Sequence, residues 1–134
     1  MVTAENLSIV KSIYTDFSRG NITGILNVLD DAILWDVEVH WPDGPRNIPY
    51  AGRYNGRHGV ARCFARLVDM VQPATEIIPW EFIENGRSIM VNGGELRRVR
   101  TSRQLTENRW SMLWTFRDNR VVRFYIYEDT IQAL

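Results

Sequence analysis

The clearest pattern in the chain is a strict alternation in which Trp35, Val37, Val39 and Trp41 are apolar and Asp36, Glu38 and His40, between them, are polar. Successive side chains of a strand point to opposite faces, so this run predicts a half-buried β-strand with its three polar residues on one face. Upstream, Leu7, Val10, Tyr14 and Phe17 recur at helical spacing behind Thr3, a candidate N-cap, and Gly20 stands where a helix would be capped at its C-terminus. These signals predict a first helix over about residues 4–19. A shorter helix begins at Asn21 or Thr23, with Ile22, Ile25, Leu26 and Leu29 apolar, and closes at Asp30 and Asp31.

Between Pro42 and Pro49 three prolines and a glycine forbid a regular element and predict a loop able to fold over a pocket mouth. A third helix starts near Gly56, carries Val60, Cys63, Phe64, Leu67, Val68 and Val71 on one broad stripe, and ends before Pro73. From Thr75 onward the period changes to two. Ile78, Trp80 and Phe82 alternate, Asn85-Gly86 predicts a type I′ hairpin turn, and Ile89 and Val91 continue beyond it. Gly93-Gly94 predicts a bulge or bend in that strand. Trp110, Met112, Trp114 and Phe116 then alternate, Asp118-Asn119 turns the chain, and Val121 to Tyr127 forms a last strand. The predicted order is helix, helix, strand, helix and four strands, within one α+β domain spanning residues 1–134.

Composition narrows the function. Sixteen basic and sixteen acidic residues cancel, which leaves no long-range field to collect nucleic acid or an anionic membrane. Arg97, Arg98, Arg100, Arg103 and Arg109 form a local cluster that could hold an anion, although a solvated hairpin gives the same pattern. The apolar runs are far shorter than the roughly 20 residues that span a bilayer. No signal-peptide core lies in residues 1–15, so a cytoplasmic location is expected. Cys63 is the sole cysteine, which excludes an intrachain disulfide and a zinc site built on cysteine pairs; its place in an apolar helix stripe fits a buried structural thiol better than a nucleophile.

Several local motifs, in this order and at these spacings, carry a resemblance. They are Gly20-Asn21, Asp30-Asp31-Ala32 ahead of the first strand, the run from Tyr50 to Val60 leading into the third helix, and the tail Tyr127-Glu128-Asp129-Thr130. Together they cover nearly the whole chain, which resembles the nuclear transport factor 2-like superfamily on its branch of SnoaL-like polyketide cyclases and ketosteroid isomerases. The resemblance implies a curved antiparallel sheet wrapped around the N-terminal helices as a cone with an apolar pocket. It also implies a small hydrophobic ligand, no cofactor, no metal and a homodimer.

Ketosteroid isomerases of this superfamily place a general-base aspartate four residues after the alanine of Asp-Asp-Ala, and the same count here reaches Asp36. Their oxyanion hole pairs a helix-one tyrosine with a protonated carboxylic acid. Tyr14 stands one residue out of register with that tyrosine, Met112 occupies the strand position of the acid, and Phe64 stands where a supporting tyrosine is kept. Methionine can neither donate a proton nor titrate, so steroid isomerisation is not expected. Limonene epoxide hydrolases need an Asp-Arg-Asp set, where this chain aligns Glu95, Arg97 and Ile126, and that chemistry is not expected either.

The resemblance makes Asp36 the candidate general acid or base, facing an apolar cavity, with Tyr14 and His40 as hydrogen-bonding or proton-transferring partners. The plainer reading is that the polar face of this strand meets solvent. Glu38 shares the face of Asp36, and Phe64, Trp80, Met112, Trp114, Phe124 and Ile126 are candidate pocket-lining residues, with ordinary core packing as their plain reading. Three side chains stepping about 6.8 Å along one strand reach a single metal ion poorly. The leading expectation is a cofactor-independent isomerase, cyclase or dehydratase acting on a small hydrophobic carbonyl compound; the alternatives are a non-catalytic apolar-ligand domain and a dimeric adaptor.

Overall fold

A computed structural model describes residues 2–40, 50–70, 76–98 and 105–132, with side chains at 2–38, 50–68, 77–94 and 109–127. Helix α1 spans Ala4–Ser18 and α2 spans Ile22–Asn27. Thr3 caps α1 as expected, accepting from the Asn6 backbone, and Asn6 returns the bond by accepting from the Thr3 backbone through its side chain. This reciprocal pair satisfies amides that the first helical turn cannot bond internally. Gly20 follows the C-cap Arg19 with φ +67°, the left-handed conformation that ends the helix, and Asn21 then caps α2.

Strand β1 runs Leu29–His40, β2 Gly52–Asn55, and helix α3 Gly56–Met70. β3 (Glu76–Asn85), β4 (Ser88–Arg98), β5 (Leu105–Arg117) and β6 (Arg120–Gln132) complete one sheet, ordered β2-β1-β6-β5-β4-β3. The α+β class and element order hold, with two corrections. Gly52–Asn55, expected to be loop, is a short strand antiparallel to β1. The sheet is also mixed, because the last strand, β6, lies beside β1 and runs parallel to it.

The hairpin turns follow their residues. Asp118 and Asn119 both have positive φ, the type I′ requirement, between the paired Arg117 and Arg120. The β3–β4 loop is Gly86-Arg87, between the paired Asn85 and Ser88, and only Gly86 has positive φ, so it is not the expected type I′ turn on Asn85-Gly86. The bend expected at Gly93-Gly94 is a register shift in the partner strand, where the pairing steps from Pro79↔Gly93 to Glu81↔Asn92 and leaves Trp80 as the extra residue.

One face of the sheet is covered by α1 and α3. Rows of side chains cross it in register, such as Phe82, Val91, Met112, Ile126 and Val37, and beside them Ile89, Trp114, Phe124 and Trp35. All of these are buried except Phe82, which is partly so. The opposite face carries Ile83, Met90, Leu113, Tyr125, Asp36 and Arg53 as one row from edge to edge, apolar at the β3 end and charged at the β2 end. Among the described residues no helix is long and apolar enough to cross a membrane.

Candidate functional site

Helix α1 sends Tyr14 onto the helix-covered face, where its ring lies parallel to that of Trp110 (centroids 5.7 Å apart, 8° between planes). It meets Trp114 and Phe82 edge-on at 6.1 and 6.3 Å. The hydroxyl of Tyr14 accepts the Trp114 indole Nε1–H at 3.0 Å and directs its own proton at the Met112 thioether, 3.1 Å away. Burial holds the phenol well above the ordinary tyrosine range; the hydrogen bond from Trp114 opposes that shift less strongly. Tyr14 is therefore a neutral donor whose proton faces a weak acceptor.

A second wall is built by α3. Phe64 contacts Phe17 at 5.2 Å and Trp35 at 5.7 Å between centroids, and Trp35 stacks on Phe124 at 3.9 Å. Trp114 touches both Trp35 and Phe124, so the two walls share one aromatic seam. The expected lining residues Phe64, Met112, Trp114, Phe124 and Ile126 thus lie together with Tyr14 on one buried face. Cys63 lies in the same helix stripe with its thiol donating to the Tyr50 carbonyl at 3.6 Å, and burial pushes it up from 9.0 to about 11. It is a structural thiol, as its position in the stripe implied.

Three expectations need correction. Asp36 does not point toward this aromatic face: Trp35 and Val37 occupy it, and alternation sends Asp36 to the far side of the sheet. There Asp36 pairs with Arg53 at 3.3 Å, and the Arg53 side chain is 86% exposed. Glu38 shares that outer face, as the alternation implied, and so lies away from the aromatic seam; it accepts a hydrogen bond from the Tyr125 hydroxyl. That bond raises the Tyr125 phenol above its ordinary value, since it is made to an anion. Trp80 is no lining residue, because the β3 bulge turns it outward and leaves it 64% exposed. The side chain of His40, the loop from Pro42 to Pro49, and the side chains of Arg97, Arg98, Arg100 and Arg103 lie outside the described residues.

Trp110 was not among the expected site residues. Its side chain is buried, yet its Nε1–H has no hydrogen-bond partner, the one such side-chain donor among the described residues. A sequence signal existed in Gly93, the cross-strand neighbour of Trp110. A Cβ on Gly93 would lie 2.6 Å from the indole ring and 2.3 Å from the Ile78 carbonyl, so only glycine lets the tryptophan lie across β4 at this point. Among the described residues no group of three or more acidic, histidine or cysteine side chains is placed to hold a metal ion.

The fold of the chain is similar to that of known structures. An NTF2-like protein from Burkholderia xenovorans is similar at 28% identity and TM-score 0.78, over 96% of this chain and 92% of that one. By its fold the chain is a member of the nuclear transport factor 2-like superfamily. An NTF2-like protein of unknown function from Burkholderia pseudomallei aligns over 93% of this chain and 91% of that one, with TM-score 0.81 and 23% identity. TerC, co-crystallised with polyporic acid, aligns over 97% of this chain and 92% of that one, with TM-score 0.76 and 22% identity. No family model and no curated protein matches the sequence. At such identities the likeness of an NTF2-like chain to its neighbours carries the fold, and the chemistry has to come from the site itself.

Proposed function

We propose that this NTF2-like chain binds a small hydrophobic molecule against the aromatic seam, with the Tyr14 hydroxyl as its hydrogen-bond donor. One observation carries the reading: a buried, protonated hydroxyl is held in place by the Trp114 N–H and offers its proton to nothing better than a thioether. An oxygen on a ligand would replace a weak bond by an ordinary one. TerC with polyporic acid supports the idea that this fold accommodates small organic molecules.

Acid–base catalysis of the isomerase, cyclase or dehydratase type is the second reading. The observation favouring it is the same donor, because a phenol that receives an N–H bond is a better donor to developing negative charge on a carbonyl oxygen. Asp36 does not serve that reading on this face, since it lies across the sheet.

The experiment is mass spectrometry of the natively purified protein, followed by the same measurement on Tyr14→Phe. A small organic molecule that co-purifies with the wild type and is lost or reduced in Tyr14→Phe supports the proposal. Equal retention by both proteins removes Tyr14 from it.

A further inference from the structure

Arg117 and Arg120 close the β5–β6 turn and stand directly opposite each other. Their neighbours Phe116 and Val121 point into the core, so alternation puts both arginines on the outer face of the sheet. Like charges directly opposite in a ladder destabilise it, and a type I′ turn does not require them. Arg120 sends its Nη1 to the carbonyls of Asn27 and Leu29, 3.4 Å from each, where α2 passes into β1. Arg57, near the start of α3, donates Nε and Nη2 to the same Leu29 oxygen at 3.0 and 2.7 Å. Two guanidinium groups from different elements therefore converge on one oxygen. Arg123 adds a further cation to the outer face, between Leu34 and Thr115. Carboxylates do not balance this charge. Asp31 pairs with Arg57 at 3.1 Å with its side chain 89% exposed, Asp30 accepts from the Ala32 amide, and Glu5 accepts from Asn119. Asp118, in the turn, makes no ion pair, and among the described residues neither do Arg117, Arg120 and Arg123. The elements that meet here, α2, the start of β1, the start of α3 and both hairpin turns at this end, all have described side chains.

We infer that Arg57, Arg117, Arg120 and Arg123 form a binding site for the phosphate group of a small molecule, on the sheet face opposite the aromatic seam and independent of it. Bonds to the Asn27 and Leu29 carbonyls explain Arg57 and part of Arg120 as structural residues. They leave Nε and Nη2 of Arg120 and the whole forks of Arg117 and Arg123 without a hydrogen bond. A guanidinium stays charged at every working pH, and its planar fork matches two oxygens of a phosphate. A doubly charged oxyanion set among these arginines turns their mutual repulsion into attraction. A carboxylate fills one fork, whereas the three acceptor oxygens of a phosphate monoester serve arginines that approach from two elements. The net charge of the chain is zero, so no long-range field gathers a polyanion, and a small phosphorylated molecule fits the cluster better than a nucleic acid.

The test titrates inorganic phosphate at neutral pH into nitrogen-15-labelled protein, with chloride making up a constant ionic strength, and follows the arginine Nε–H signals. Saturable shifts at Arg117 and Arg120 are expected with phosphate and none with chloride alone. Arg117→Gln should weaken phosphate binding about tenfold, the effect of losing one charged hydrogen-bonding partner. In phosphate-free buffer the same variant should be as stable to urea as the wild type or more so, because it relieves the like-charge pair. Phenyl phosphate is then compared with phosphatidylcholine vesicles containing phosphatidic acid, and saturable binding of the first without cosedimentation with the second is expected. Shifts that fail to saturate, or that chloride reproduces, reduce the cluster to an adventitious ion only and overturn the site. Unchanged phosphate binding in Arg117→Gln, with stability lost, makes Arg117 a structural residue and overturns its assignment. Signals that follow protein concentration instead of phosphate give the cluster to a carboxylate of a second copy, and binding to vesicles alone gives it to a lipid headgroup; either overturns the small-molecule assignment. The wild-type titration stands even if the variant fails to fold, and no result here bears on the ligand reading of the aromatic seam.

Discussion

The side-chain amide of Asn6 donates to the Asn119 side-chain oxygen at 3.0 Å, joining residues 113 positions apart. Asn6 is buried and also completes the capping box with Thr3, while Asn119 occupies the type I′ turn between β5 and β6 and donates on to Glu5. The N-terminus of α1 is thereby fixed to the tip of the β5–β6 hairpin, which sets where Tyr14 meets the sheet three turns further on.

Replacing Asn6 by Ala removes a cap partner and leaves the amides around it unsatisfied, so a loss of about 2–3 kcal/mol is expected in urea unfolding. Asn6→Asp keeps the oxygen that accepts from Thr3 but loses the donor to Asn119, and should cost less than Asn6→Ala. Equal and small losses in both variants would show that the contact does not anchor the helix.

Much of this fold was legible because its signals are local. Thr3, Gly20 and Asp118-Asn119 each write one backbone conformation, and the strand alternation at Trp35 and Val37 places their faces correctly. What stayed hidden depends on pairing. Gly52–Asn55 holds one apolar residue in four and becomes a strand only because β1 offers it an edge. The bulge signalled by Gly93-Gly94 falls in the partner strand β3, where the alternation of Ile78, Trp80 and Phe82 gives no sign of it, and there it turns Trp80 outward. Asp36 is instructive in a different way: counting from Asp-Asp-Ala assigned it to the pocket, whereas the alternation around it already assigned it to the opposite face. The local rule was the better guide. Trp110 escaped notice because an unsatisfied indole is a property of surroundings, not of residue type.

Gly93 is expected to tolerate no side chain. A methyl group there would overlap the Ile78 carbonyl and the Trp110 ring at distances no real contact shows, and one of these is backbone. Gly93→Ala should therefore destabilise by roughly 1–3 kcal/mol or more and displace the indole. The Trp110 indole signal in a nitrogen-15 spectrum should move while that of Trp35, on the other wall, stays close to its place. An unchanged spectrum with full stability would mean that β3 gives way instead.

The pH dependence follows from Cys63. Its thiol is raised from 9.0 to about 11 by burial, so the unfolded chain loses this proton before the folded one does. Stability is therefore full below about pH 9 and falls as pH rises toward 11, by an amount on the order of 2–3 kcal/mol for a shift of this size. Tyr14, raised by the same cause, adds to the decline once pH passes the ordinary tyrosine value of 10.0, so part of the fall above pH 10 persists without Cys63. Cys63→Ala should lower stability at neutral pH through the lost packing but flatten the decline between pH 9 and 11, measured by urea unfolding at each pH. A decline of the same steepness in both proteins would assign the alkaline transition elsewhere.

The outer face makes the last prediction. Its central row changes from Ile83, Met90 and Leu113 through Tyr125 to the Asp36–Arg53 pair, and Leu34 and Tyr127 stand exposed beside it. We propose that a second copy covers this face, turned so that the row crosses its own image about a twofold axis and the apolar residues meet near the centre. Leu113→Arg should then shift the protein from dimer toward monomer at tens of micromolar, read by light scattering, because an unpaired charge would be buried at the middle of the interface. Asp36→Asn is the contrasting variant. Its ion pair with the exposed Arg53 is worth at most about 1 kcal/mol, and it lies across the sheet from Tyr14, so ligand binding at the aromatic seam should be unchanged. A wild-type protein that scatters as a monomer at these concentrations rejects the twofold pairing. A loss of seam binding in Asp36→Asn would mean that the two faces are coupled through Trp35 and Val37, the residues that flank Asp36 and point the other way.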